Sequence, residues 1–198
     1  VAEDAVVEMV GQAIPYVGRG GLKLAHALDT FGIAVEGREA LDIGASTGGF
    51  TDVLLQRGAR RVVALDVGHG QLDWSLRTDP RVVVLEHCNA RHLSLDALPG
   101  PVDLVTIDVS FISLRLILPV VPPLLRPNAD VVALVKPQFE AGRAEVRKGL
   151  VHDPNVHARV VADVSRAGAE VGLTPRASTP SPITGQKGNV EFLVHFTQ

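Results

Sequence analysis

Short apolar runs rich in β-branched residues alternate with stretches of helical periodicity along the 198-residue chain. Such alternation predicts an α/β domain with a mostly parallel sheet and helices on both faces. Each run is bounded by glycine, proline or charged residues, which is typical of buried strands. The predicted strands are 39–43, 61–66, 81–86, 102–108, 129–135 and 190–196.

Apolar residues at helical spacing predict the elements between these strands. A first amphipathic helix is expected over 21–31, with an inward face formed by Leu22, Ala25, Leu28 and Phe31. Asp153 before Pro154 has the form of a helix start and predicts a long helix over 155–171. Further helical segments are expected at 48–56, at 72–77 and, until its prolines interrupt it, in 114–125. An extended segment or loop is expected at 175–182.

Composition narrows the class of protein. A hydrophobic fraction of 46% and a charged fraction of 21% are typical of a soluble globular chain. No apolar run reaches the roughly 18 residues of a membrane span, and no secretory signal is present, so no membrane association is expected. A single cysteine, Cys88, cannot form an internal disulfide, which favours the cytoplasm.

The net charge of −3 is not that of a strongly basic nucleic-acid binder. Any affinity for RNA is therefore expected to come partly from outside this chain. Position 1 is Val1 and not methionine, so we expect a fragment of a longer protein.

A glycine-rich segment, Gly44-Ala45-Ser46-Thr47-Gly48-Gly49, follows the first predicted strand. Glycines there permit a tight turn and close approach of the backbone to a ligand. Ser46 replaces the middle glycine of a dinucleotide loop and crowds a pyrophosphate, which favours S-adenosylmethionine, a cofactor without phosphate. Its amino group suits Asp42, and its carboxylate suits loop N–H groups. Expected contacts are Asp42, Gly44, Ser46, Thr47, Gly48 and Gly49.

Polar residues follow the next strands, where parallel sheets form their binding crevice. Asp66 can accept hydrogen bonds from both ribose hydroxyls of a nucleoside, and Asn89 can bond an adenine edge. This spacing alone serves a nicotinamide cofactor equally well. The expected cofactor contacts here are Asp66, Val67, Asn89, Ala90 and Asp108.

Two lysines and a glutamate stand at element ends. Lys136 directly follows an apolar strand, where a lysine is rare without a partner or a purpose. Lys23, at the start of the first helix, is either solvated or functional. Glu191, at the start of the last strand, is either a solvent-facing carboxylate or part of a site.

The chain resembles the TlyA (haemolysin A) family of FtsJ-like RNA ribose 2′-O-methyltransferases over nearly its whole length. The most specific motifs are Asp-Val-Ser-Phe-Ile-Ser at 108–113, Val-Lys-Pro-Gln-Phe-Glu at 135–140 and Gly-Asn-Val-Glu at 188–191. Gly18 departs from the family, which usually has serine there. The resemblance implies a seven-stranded, Rossmann-like class I methyltransferase fold over 1–198 and a catalytic tetrad of Lys23, Asp108, Lys136 and Glu191.

The resemblance also implies the reaction. The expected substrate is ribosomal RNA, methylated on cytidine 2′-oxygens of the small and large subunits, with S-adenosylmethionine as cofactor and no metal. Lys136 is expected to be the general base, held by Asp108, with Lys23 and Glu191 positioning the hydroxyl. Full-length members carry an N-terminal S4-like RNA-binding domain, which we expect to be absent from this chain.

Substrate contacts are expected from four further residues. Phe111 is either a platform that stacks on the extruded target base or a core phenylalanine. Arg91, Arg143 and Lys148 are either contacts to the RNA backbone or solvated loop residues.

Three other functions are open at this point. The family's haemolysin name raises a membrane-active protein, although no amphipathic membrane hairpin is evident. A nicotinamide-dependent oxidoreductase is disfavoured by Ser46 and by the tetrad. A cofactor-binding domain that is inactive without its S4-like domain is the third alternative.

Overall fold

The computed structural model describes residues 14–198, and in them seven strands form one sheet in the order β3-β2-β1-β4-β5-β7-β6. The five strands β1 to β5 are parallel, and β7 runs antiparallel to both β5 and β6. This confirms the predicted mostly parallel seven-stranded sheet. The strands are β1 (Glu39–Ile43), β2 (Arg61–Leu65), β3 (Val82–Leu85), β4 (Val102–Ile107), β5 (Leu125–Val135), β6 (Thr174–Pro180) and β7 (Phe192–Thr197).

Helices cover both faces of the sheet, as predicted. Helices α1 (Gly20–Phe31) and α2 (Gly49–Gln56) pack on one face, where Ala40 points. Helix α5 (Pro154–Glu170) packs on the other, where Leu41 points. Because successive side chains of a strand point to opposite faces, covering both faces requires nearly continuous apolar strands. Two short helices complete the set, α3 (Trp74–Arg77) and α4 (Pro137–Glu140).

Helix α1 buries a different set of residues from the predicted one. Ala25 and Leu28 are buried as expected, but Leu22 and Phe31 are only partly so. The helix contacts α2, β6 and β7 together and therefore buries a wider face. That face also includes Lys23, Leu24 and Ala27.

The predicted helix over 114–125 is wrong. The segment instead forms three separate 3₁₀ turns, because its prolines lack the N–H that an α-helix needs. Strand β5 then begins at Leu125, four residues earlier than expected. The segment 175–182, expected to be extended or a loop, contributes most of the edge strand β6. Helix α5 begins as predicted, and the side chain of Asp153 accepts a hydrogen bond from the N–H of Asn155.

The carboxyl ends of β1, β2, β4 and β5 meet at one edge of the sheet. The N–H groups of Gly44 and Ala45 donate to Leu65 O of β2, which holds the loop after β1 against its neighbour. Gly44 has φ +87°, and a side chain there would overlap the backbone carbonyl of Asp108. Glycine at this position is therefore what lets the ends of β1 and β4 approach each other.

Candidate functional site

Two adjoining cavities lie at this edge of the sheet. The first has a volume of about 300 Å³ and the second about 1350 Å³. They share part of their walls, so a ligand in one touches residues that also face the other. The shared residues are Gly44, Ser46, Asp108, Ser110, Phe139 and Gln186.

A buried ion pair closes one side of the first cavity. Lys23 Nζ lies 2.5 Å from Glu191 Oε2, and the two residues are only 9% and 2% exposed. Gly185 backs the carboxylate, because any side chain there would overlap Glu191. Glu191 precedes β7 by one residue, which corrects its predicted place within the strand. The solvated alternatives for both residues are wrong.

A second ion pair lies in the same cavity. Lys136 Nζ is 2.6 Å from Asp108 Oδ1 and donates to Ser110 Oγ at 2.8 Å. Lys136 follows β5 and Asp108 follows β4, and these strands are parallel neighbours, so their ends bring the two side chains together. The structure thus gathers all four predicted tetrad residues around one cavity.

Two buried acceptors in the wall of the first cavity have no hydrogen-bond donor among residues 14–198. They are Asp108 Oδ1, which meets Lys136 as an ion pair without hydrogen-bond alignment, and Gln138 Oε1. Leaving a buried acceptor without a donor costs roughly 1–3 kcal/mol. Gln138 Oε1 is therefore suited to a donor on a bound ligand, whereas Asp108 Oδ1 already meets the Lys136 amine.

The carboxylate of Asp66 is held at the carboxyl end of β2. Oδ2 accepts from Ser46 N at 2.8 Å, and Oδ1 accepts from Gly68 N at 2.7 Å. Ser46 itself has φ +49°, a left-handed conformation that is costly for a residue with a side chain. The expected cofactor residues that line the cavities are Gly44, Ser46, Thr47, Gly49, Asp66, Val67, Asn89, Ala90 and Asp108.

Two expected cofactor residues do not reach a cavity. Asp42 is 0% exposed, and its oxygens accept from Thr51 Oγ1 at 2.7 Å and from Thr106 Oγ1 at 3.0 Å. Burial raises the pKa of Asp42 to about 7. The hydrogen bonds from the two threonine hydroxyls lower the pKa, but burial has the larger effect. Gly48 lies behind the loop, where a side chain would overlap Leu76. Both residues support the loop instead of facing a ligand.

The loop after β4 presents Phe111 at the mouth of the second cavity. Phe111 is 87% exposed with φ +63°, which rules out its core alternative. Its ring lies 5.1 Å from that of Phe139. Glu140 ties the loop to α4 by accepting from Ser113 Oγ at 2.6 Å and from Leu114 N at 2.7 Å. Burial raises the pKa of Glu140.

Three cations without an ion-pair partner among residues 14–198 line the cavities. Twelve of the nineteen lysines and arginines pair with a carboxylate within residues 14–198. Of the other seven, Arg19, Arg91 and Arg143 line a cavity. Asn189 joins the segment that carries Arg147 and Lys148 to the loop that carries Lys187, by donating to Gly149 O and Gln186 O. We call six residues the basic rim: Arg19, Arg91, Arg143, Arg147, Lys148 and Lys187.

Sequence reasoning missed several residues that line the cavities, among them Ser110, Gln138, Arg19 and Gln186. Ser110 and Gln138 lie inside recognised motifs, but nothing in their residue types set them apart from neighbours. Arg19 and Gln186 enter through loops whose paths depend on the packing of distant segments. Of the expected RNA contacts, Phe111, Arg91 and Arg143 line the second cavity, and Lys148 lines neither.

Comparison with known proteins gives consistent matches. The sequence profile of the FtsJ-like methyltransferase family matches residues 16–198. The chain is 55% identical over 180 residues to the 16S/23S rRNA (cytidine-2′-O)-methyltransferase TlyA of Mycobacterium tuberculosis strain H37Rv, over 90% of this chain and 67% of that protein.

Solved structures agree with these sequence matches. A protein described as a candidate hemolysin from Streptococcus thermophilus has a TM-score of 0.93 at 47% identity, over 95% of this chain and 69% of that one. A protein described as a candidate S-adenosylmethionine-dependent methyltransferase from Listeria monocytogenes, 16% identical, has a TM-score of 0.67 over 91% of this chain and 99% of that one, and shares the fold.

Proposed function

Because the chain belongs to the FtsJ-like methyltransferase family, we propose that it methylates the 2′-oxygen of cytidine in the ribosomal RNA of both subunits. One observation carries the proposal. Two lysine–carboxylate pairs, Lys23–Glu191 and Lys136–Asp108, line one cavity beside a larger cavity that suits a nucleoside.

The residues present fit S-adenosylmethionine as the methyl donor. Asp66 offers carboxylate oxygens to a ribose diol in the second cavity, and Asn89 offers an amide to adenine. Arg19 and the N-terminus of α2 suit the methionine carboxylate. Ser46 stands where a dinucleotide loop has its middle glycine, and its side chain disfavours a pyrophosphate there. When bound, the cofactor supplies an electrophilic methyl group.

Lys136 is the general base in this proposal. A ribose hydroxyl is a weak nucleophile, so a base within hydrogen-bonding reach of its proton helps most. The amine must be neutral to accept that proton. The Asp108 carboxylate, 2.6 Å from the nitrogen, holds the side chain in place within the cavity.

Lys23 and Glu191 act as a positioning pair. Each compensates the other's charge, which makes burial of both tolerable. Their remaining donors and acceptors face the same cavity as Lys136 and can orient the ribose hydroxyl. Correct orientation of the reacting groups lowers the entropic barrier of transfer.

The basic rim and Phe111 support RNA as the substrate. Three cations of the rim line the cavities and pair with no carboxylate in the described part of the chain, so they can attract phosphates even though the whole chain carries a net charge of −3. Phe111 offers an exposed aromatic face for a base that has left its stack. We further propose that an S4-like domain of the full-length protein adds affinity for the ribosomal subunits.

The place of the reaction follows from the substrate. None of the helices within residues 14–198 has the length and apolarity needed to span a bilayer. Ribosomal subunits are in the cytoplasm, and we propose that the reaction takes place there. Release of dye from liposomes by the purified protein would favour the membrane-active alternative instead.

A comparison of transfer with binding tests the proposal. Lys136→Ala is expected to abolish transfer of labelled methyl groups to ribosomal subunits, while calorimetry shows unchanged affinity for S-adenosylmethionine. Arg57→Ala is the matched control, because Arg57 pairs with Asp29 on the surface and lies outside the site. Wild-type transfer by Lys136→Ala, or loss of cofactor binding, contradicts the role assigned to Lys136.

A further inference from the structure

Ser110 contacts the amine of Lys136 and lines both cavities. It lies two residues after Asp108 and directly before the left-handed residue Phe111. We propose that Ser110 is a positioning residue, which aims the Lys136 amine at the substrate hydroxyl. This inference rests on the proposed function, because it assigns Ser110 a part in the proton transfer to Lys136.

The two partners of Lys136 hold it in different ways. The contact with Asp108 Oδ1 at 2.6 Å lacks hydrogen-bond alignment, and an ion pair of this kind tolerates many orientations of the amine. The contact with Ser110 Oγ at 2.8 Å is an aligned hydrogen bond, which is directional. Asp108 therefore supplies charge, and Ser110 supplies direction.

The direction matters because the nitrogen of lysine is tetrahedral. Besides its bond to carbon, a neutral amine has two N–H groups and one lone pair. The N–H donated to Ser110 fixes the two remaining tetrahedral positions of the nitrogen, and the lone pair in one of them can accept a proton from the ribose hydroxyl. A lysine side chain with a flexible four-carbon stem does not reach such an arrangement without a directional partner.

The loop around Ser110 is itself held in place. Phe111 packs against Phe139 three residues beyond Lys136, and Glu140 accepts hydrogen bonds from Ser113 and the backbone of Leu114. These contacts join the segment after β4 to helix α4 on the far side of Ser110. On the other side of Ser110, the backbone N–H of Asp108 donates to Ile43 O at 2.9 Å, so the chain is held on both sides of Ser110.

Kinetics of three variants test this role. Ser110→Ala is expected to lower kcat by about tenfold to 100-fold, since misplacement of a catalytic group by about 1 Å has this effect. The KM for RNA and the Kd for S-adenosylmethionine are expected to stay within about twofold, because Ser110 acts through Lys136. Ser110→Thr keeps the hydroxyl and is expected to restore kcat, whereas Ser110→Cys, with its weak donor and acceptor, is not.

A measurement without turnover gives an independent readout. The chain has four lysines, so protein labelled with ¹⁵N-lysine yields a simple spectrum of side-chain nitrogens. Ser110→Ala is expected to shift the Lys136 Nζ resonance and leave that of Lys23, which pairs with Glu191, in place. Ser110→Thr is expected to retain the wild-type position.

The outcomes separate this inference from the proposed function. Wild-type kcat together with an unchanged Lys136 resonance in Ser110→Ala overturns the role of Ser110 and leaves Lys136 as the base. Wild-type transfer by Lys136→Ala overturns the mechanism itself. A loss of kcat that Ser110→Thr fails to restore shows that the hydroxyl is not the group that matters.

Discussion

Lys23 Nζ lies 2.5 Å from Glu191 Oε2, although 168 residues separate the two along the chain. The pair joins helix α1 to the segment before β7, and both side chains are nearly excluded from solvent. Such a pair has a structural and a chemical consequence. It fixes the far wall of the first cavity, and it places a cation and an anion where the ribose is proposed to bind.

Replacing one member of this pair tests the two consequences separately. Lys23→Met leaves the Glu191 carboxylate buried without a counter-charge and is expected to lower the free energy of unfolding by about 3–5 kcal/mol. The double variant Lys23→Met with Glu191→Gln removes both charges and is expected to regain most of that stability. Urea unfolding measures the recovery, and methyl transfer is expected to remain lost. Restored transfer in the double variant contradicts the proposed positioning role.

Substitutions at Gly37 and Gly44, which have similar φ angles, distinguish the cost of backbone strain from the cost of a steric overlap. Gly37→Ala, at φ +74° with open space around it, is expected to cost about 1 kcal/mol of unfolding free energy. Gly44→Ala, at φ +87°, also overlaps Asp108 and is expected to cost about 3 kcal/mol. Calorimetry is expected to show weaker cofactor binding only for Gly44→Ala. Equal effects on stability and binding are inconsistent with the packing of Gly44 against β4.

Because Asp42 is buried, the free energy of unfolding is expected to fall as the pH rises. The pKa of Asp42 is raised from 3.8 to about 7, so the folded protein retains the proton more tightly than the unfolded chain. The contribution of protonated Asp42 to the stability of the folded protein is fully present below pH 3.8 and is lost as the pH rises through 7. Between pH 5 and pH 8 the wild type is expected to lose about 3 kcal/mol of unfolding free energy relative to Asp42→Asn. Parallel pH profiles for the two proteins contradict this burial effect.

The basic rim predicts a salt dependence of RNA binding. Arg143→Ala and Lys148→Ala are each expected to reduce the slope of log K against log salt concentration by about 0.7–0.9, without changing which nucleotide is methylated. Arg57→Ala is the control, because that cation already pairs with Asp29. Filter binding at several salt concentrations measures the slopes. Equal slopes for all three variants place the RNA elsewhere.

Much of the fold follows from the sequence because the signal for it is local. Alternating apolar runs specify buried strands, and strand ends in a parallel sheet share one edge, so Asp66 and Asp108 were placed correctly. The apolar periodicity of 114–125 predicts a helix up to the prolines, but the segment forms 3₁₀ turns from Leu114 onward. The buried face of helix α1 differs from the predicted one because three separate elements contact the helix.

The site was less predictable where the orientation of a side chain decides its role. Asp42 lies near a strand end like Asp66, yet Thr51 and Thr106 donate hydrogen bonds to both of its carboxylate oxygens, which are buried in the core. Ser110 is an ordinary loop serine until the end of β5 brings Lys136 against it. Both outcomes depend on contacts between residues distant in sequence, which residue type and spacing do not encode.

The position of the transferred methyl group is the most direct test of the proposed reaction. Ribosomal subunits are incubated with the protein and S-adenosylmethionine, and the nucleosides released from their RNA are analysed by mass spectrometry. The expected product is 2′-O-methylcytidine with the wild-type protein and none with Lys136→Ala. Methylation on a base, or no methylated nucleoside from either ribosomal subunit with the wild-type protein, contradicts the proposed function.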